Sequence, residues 1–75
     1  MVVDLGVAMT AVQKALEADE QFWRSERGST PYRHRRNKAV VEALAAGMSL
    51  EQVADELGVK IHDVERMATD GASDV

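Results

Sequence analysis

From Lys60 to Arg66 the chain reads "KIHDVER", a run of side chains able to hydrogen-bond and ion-pair with a nucleic acid. Lys60 and Arg66 can hold a phosphate or donate to guanine O6 and N7, and His62 can donate to a base acceptor. Asp63 or Glu65 can accept from the N4 amine of cytosine. A second set lies upstream in "PYRHRRNK", where Arg33, Arg35, Arg36 and Lys38 suit backbone phosphates. Six of the nine Lys and Arg residues fall between Arg24 and Lys38, with Glu26 as the one acid among them. The chain as a whole carries a net charge of −4, and Ala39 to Val75 sets two bases against eight acids. Positive charge is therefore local, which is the footprint of a phosphate contact and not of a general nucleic-acid coat. The plainer reading is a solvated basic turn between helices. Asp63 likewise has a plain role, stabilising the dipole of a helix that starts beside it.

Other chemistries find little to work with. There is no cysteine, so neither a disulfide framework nor a thiolate metal site can form. His34 and His62 are the only histidines and lack metal-ligand spacing, so no metal or cofactor is expected. No Gly-rich phosphate loop, nucleophile elbow or convergent carboxylate pair is visible. Glu17 with Glu20 and Asp55 with Glu56 read as solvated helix charges, and the chain reads as a non-enzyme. Nothing approaches the ~18 consecutive apolar residues of a membrane helix, and the first twenty residues lack a secretory pattern. A soluble, cytoplasmic protein with no membrane association is the expectation. At 75 residues it makes one domain.

Four helices must position these groups, and no segment alternates as a strand would; the fold class is all-α. The first spans residues 4–27. Leu5, Met9, Val12, Leu16 and Trp23 recur at helical spacing, with Ala8, Ala15 and Phe22 beside them. Asp4 serves as N-cap and Gly28 as the stop, with room for a break near Asp19 and Glu20. "GSTP" connects to the second helix, with Thr30 as its N-cap and Pro31 at its first position. That helix buries Tyr32, Ala39, Val40, Ala43 and Leu44, and Gly47 ends it. Ser49 and Gln52 form a capping box for the third helix, whose buried stripe is Leu50, Val53, Ala54 and Leu57. Gly58 closes it in the left-handed conformation. The fourth helix runs from Ile61 to about Thr69, with Val64 and Met67 or Ala68 inward, and residues 70–75 read as a flexible tail.

Small Ala54 and flexible Gly58, four residues on, allow the third and fourth helices to cross steeply at a tight turn. "VADELGV" resembles the centre of helix-turn-helix motifs in phage repressors. The longer "RNKAVVEALAAGMSLEQVADELGVKIHDVERM" is similar to the C-terminal DNA-binding domain of site-specific resolvases and invertases. Gly47, Ala54 and Gly58 match that family's pattern, and "GSTPYRHRRNK" parallels its basic, minor-groove arm. The resemblance covers about half the chain. It lacks the family's catalytic domain, and the Ser, Thr and Arg cluster usual at the start of the reading helix is missing. It implies a tri-helical helix-turn-helix core over residues 31–69 that binds double-stranded DNA as a phage-type transcriptional regulator. Arg33, Arg35, Arg36 and Lys38 would take backbone or minor groove, and Lys60, His62 and Arg66 the major groove. Activation would require a touch on RNA polymerase, and repression only occupancy of a promoter.

The long first helix precedes that core. Its stripe of Leu5, Met9, Val12, Leu16 and Trp23 can cover the core or form the seam of a homodimer. The rival function is a protein-interaction module, an inhibitor or adaptor, in which the acidic first helix docks on a basic partner.

Overall fold

The computed structural model describes residues 4–25 and 29–73. It contains α1 (Leu5–Arg24), α2 (Ser29–Ala45), α3 (Leu50–Leu57) and α4 (Ile61–Ser73), with no strand among the described residues. α1 and α2 form an antiparallel hairpin, the most extensive packing in the molecule, and α4 then packs on α2 and α3. The Asp4 N–H donates to the Ala46 carbonyl at 3.0 Å, tying the start of α1 to the end of α2.

Local chemistry sets most of the helix ends. Asp4 caps α1, its Oδ1 accepting from the Val7 N–H at 3.1 Å. Ser49 and Gln52 make the reciprocal box at the start of α3, with bonds of 2.9 and 3.1 Å. α2 and α3 end in the same motif. The Met48 N–H reaches the Ala43 carbonyl and the Gly47 N–H reaches Leu44; Val59 reaches Ala54 and Gly58 reaches Asp55 in the same way. This six-to-one closure needs a left-handed residue, and among the described residues the glycines with positive φ are Gly47 (107°) and Gly58 (69°).

Three boundaries differ from the sequence expectation. α1 ends at Arg24 with Ser25 as its C-cap, and runs unbroken past Asp19 and Glu20; Gly28 lies outside the described residues. α2 begins at Ser29, so Thr30 is inside its first turn and not its cap. Pro31 is still accommodated there, because first-turn N–H groups have no partner in the helix. α4 continues to Ser73, where a tail from residue 70 was expected. Gly71 explains this: it is buried, and a Cβ built on it would lie 2.6 Å from the Asn37 carbonyl oxygen. The last turn of α4 is held by close approach to α2; Asp74 and Val75 are outside the described residues.

The core is made of small side chains. Ala11, Val12, Ala15, Ala39, Val40, Ala43, Val53, Ala54 and Val64 form one buried cluster drawn from all four helices. α1 is therefore part of the core and not an addition in front of a three-helix unit. Its large apolar stripe, open in the sequence to covering the core or to forming a dimer seam, is for the most part not the core face. Ala8, Ala11, Ala15 and Ala18 face inward, whereas Leu5 is 68%, Met9 48%, Leu16 40% and Trp23 75% exposed. Alanine lets two backbones approach closely, and interhelical distance follows from contact side-chain size. Val12 is the exception in its stripe: at 2% exposed it belongs to the core and is unavailable to a dimer or partner.

Candidate nucleic-acid interface

α4 presents the residues singled out at its start. Lys60, His62, Glu65 and Arg66 are exposed, and Val64 on the opposite face is fully buried. The apolar anchor and the polar strip thus occupy different faces of one helix. Among the described residues, no ion pair holds Lys60, His62 or Arg66. Asp63 behaves differently from its neighbours. It is half-buried, its carboxylate accepts from the Lys60 N–H at 3.4 Å and so serves the helix start, and it lines a cleft beside Arg66. Glu65 remains on the outward strip.

Ile61, 39% exposed, was not singled out in the sequence. Three residues before the buried Val64, it lies at the edge of the core face, between Val64 and the polar strip. An apolar group at that place can meet a thymine methyl.

The basic segment is split by the fold. Arg36 is drawn into the structure: its Nη1 bonds Asp19 Oδ1 at 2.9 Å and its Nε bonds Asn37 Oδ1 at 3.3 Å. Its guanidinium also lies 5.3 Å from the centroid of the Phe22 ring. With its side chain only 12% exposed, Arg36 is a structural residue, which corrects its assignment to a phosphate contact. Arg35 stacks on Tyr32 at 5.6 Å and, with Lys38, borders a groove of about 500 Å³ between α1 and α2. Lys14, Glu17, Gln21 and Glu42 share that groove, so its charge is mixed. Arg33 is exposed on α2. His34 is half-buried on the same helix and has an interaction of its own.

Arg66, by contrast, borders a cleft of about 320 Å³ with Arg36, Asp19, Asp63, Asp70 and Trp23, so its charge is mixed too. Glu17 and Gln21 line the first cleft, and Asp19 and Trp23 the second. Residues two apart on a helix point more than half a turn from each other, so the clefts open on different sides of α1. Arg35 and Lys38 therefore do not share the cleft of Arg66, whereas Arg36 does.

The outward face of α3 carries Glu51, Asp55 and Glu56, all exposed. Among the described residues, no group of three or more His, Cys, Asp or Glu is placed to hold a metal ion. No helix is long and apolar enough to cross a membrane. Compared with known proteins, the chain matches no family model, no curated sequence and no solved structure.

Proposed function

We propose that the protein binds double-stranded DNA as a helix-turn-helix module, with α4 as the helix that enters the major groove. The observation that carries this reading is the α3–Gly58–α4 corner, fixed at both ends by capping bonds, with Lys60, Ile61, His62 and Arg66 on its outward side. The residues nearest the start of such a helix are the ones that reach base edges. Lys60 and Arg66 supply phosphate or guanine contacts and His62 a donor to a base acceptor. Occupancy of a promoter would make the protein a transcriptional regulator of phage or mobile-element type. Glu51, Asp55, Glu56 and Glu65 oppose phosphates, so a monomer binds weakly, with a salt dependence set by the few phosphates its cations reach.

This version leaves Arg35 and Lys38, which border a different cleft from Arg66, out of the DNA surface. Fluorescence anisotropy on a mixed-sequence duplex, across a salt series, tests both points. Contact with two to four phosphates gives a log–log slope of roughly −2 to −4, and Lys60→Ala flattens it by about 0.9. Charge reversal at Lys60 and Arg66 abolishes binding, whereas Arg35→Glu with Lys38→Glu leaves it nearly unchanged. The converse pattern would move the DNA surface to α2. An absence of binding at low salt discards the reading.

The rival reading, a docking module for another protein, is favoured by the acidic face of α3 and the exposed apolar residues of α1. A folded protein with no DNA affinity would turn the assignment that way.

A further inference from the structure

Among the described residues beyond α1, every large aliphatic side chain is buried or half-buried except Ile61, which is 39% exposed. Ile61 is the first residue of α4, and the backbone around it is fixed. The Lys60 carbonyl accepts from the Asp63 and Val64 N–H groups at 3.0 and 3.2 Å, and the Lys60 N–H donates to the Asp63 carboxylate. A β-branched side chain in a helix has one strongly preferred χ1, so Ile61 is held in direction as well as in place. Its neighbours on the surface are polar: Lys60 and His62 in sequence and Glu65 one turn on, all exposed.

We infer that Ile61 is the residue that distinguishes thymine from cytosine, by contact with the thymine methyl; this rests on the reading of α4 as the helix in the major groove. In that groove thymine presents its C5-methyl and the O4 acceptor, and cytosine presents an N4 donor beside a bare C5. The polar groups around Ile61 find partners on either kind of base pair. Lys60, His62 and Arg66 donate to N7 of adenine or guanine, to thymine O4 or to guanine O6. Glu65 accepts from adenine N6 or cytosine N4. The methyl is carried by thymine alone, and an apolar side chain is the group that gains from covering it. Because Ile61 is already fixed, little ordering cost is set against that gain. Burying one methyl is worth roughly a fourfold change in affinity.

The probes are an alternating dA–dT duplex and the same duplex with deoxyuridine in place of thymidine, which removes the methyl and leaves every donor and acceptor. Alternation offers a methyl in every register, so no operator needs to be known. Anisotropy at low salt should show the full chain binding the uracil duplex about 3- to 10-fold more weakly. Ile61→Ala should bring the two duplexes within about twofold of each other, with circular dichroism unchanged. That variant also controls for duplex shape, since a difference read through deformability would persist without the side chain. If it loses its fold, Ile61→Gln, polar and compatible with a helix, replaces it. Equal binding of the parent to both duplexes overturns the role of Ile61 and leaves DNA binding standing. A thymine preference that survives in the variant overturns it too, by assigning the methyl to another residue. No binding to either duplex removes the DNA reading and the role of Ile61 together.

Discussion

Arg36 and Gly71 are each defined by a neighbour distant in sequence. Arg36 reads as one more cation in a basic run, yet Asp19, Asn37 and Phe22 surround its guanidinium, and it joins α1 to α2. A buried charge must be paired and hydrogen-bonded, and this one is both. Gly71 reads as a helix breaker near a frayed end, yet it sits inside α4 against the backbone of Asn37. Gly71→Ala should therefore destabilise the protein by roughly 1–3 kcal/mol, the range for overpacking, although alanine favours a helix by about 1 kcal/mol elsewhere. The atoms in the way, the carbonyl oxygen and carbon of Asn37 at 2.6 and 2.8 Å, belong to the backbone and cannot rotate aside. Urea denaturation would show the loss as a lower midpoint, and an unchanged or raised midpoint would mean that α4 frays at this turn. At residue scale, the signals confined to a few neighbouring residues were legible: the Asp4 cap, the Ser49–Gln52 box and the Gly47 and Gly58 stops. Gly71 and Arg36 were not, because their partners lie 34 and 17 residues away and no local pattern announces them.

α1 shows what periodicity can and cannot tell. Its period of 3.6 was plain, and so was its being a helix, but two stripes share that period. One holds Leu5, Met9, Leu16 and Trp23; the other holds Ala8, Ala11, Ala15 and Ala18. Ranking residues by hydrophobicity puts the first stripe inside, whereas close packing of α1 on α2 selects the second. Adjacent residues should then respond in opposite ways. Ala15→Leu adds volume to a fully buried position and should cost about 1–3 kcal/mol. Leu16→Ala removes a side chain from an exposed face and should shift stability by no more than about 0.5 kcal/mol at concentrations where the chain is monomeric. Thermal melts of the two variants beside the parent decide it. If Leu16→Ala proves the more damaging, the large residues of α1 are the ones that hold the hairpin. α3 and α4 were more legible: of the expected stripes Val53, Ala54 and Val64 are buried and Leu50, Leu57 and Met67 pack partly buried against them, with Ile61 the exposed exception.

For the whole molecule, the consequence is a core without a large centre. Val40, Val53 and Val64 are the largest fully buried side chains, and the rest of the cluster is mostly alanine. Burial yields about 0.8 kcal/mol per methylene, so alanines contribute little each and the fold depends on all four helices sharing one core. Sequence resemblance suggested a self-sufficient unit of three helices over residues 31–69. In the structure, Ala39 and Ala43 of α2 belong to the same cluster as Ala11, Val12 and Ala15 of α1, and removing α1 would open that cluster to water. A fragment of residues 29–75 should accordingly lose most of its ellipticity at 222 nm and melt without a cooperative transition. Its length alone puts it near the lower limit, about 40 residues, for domains without metals or disulfides. The full chain should melt in one step, because no helix has a core of its own. A cooperative melt from the fragment would show that α2, α3 and α4 suffice, and the DNA titration could then be run on the fragment alone. Loss of structure would instead make α1 a requirement for presenting α4. The long first helix would then set the orientation of the proposed reading surface.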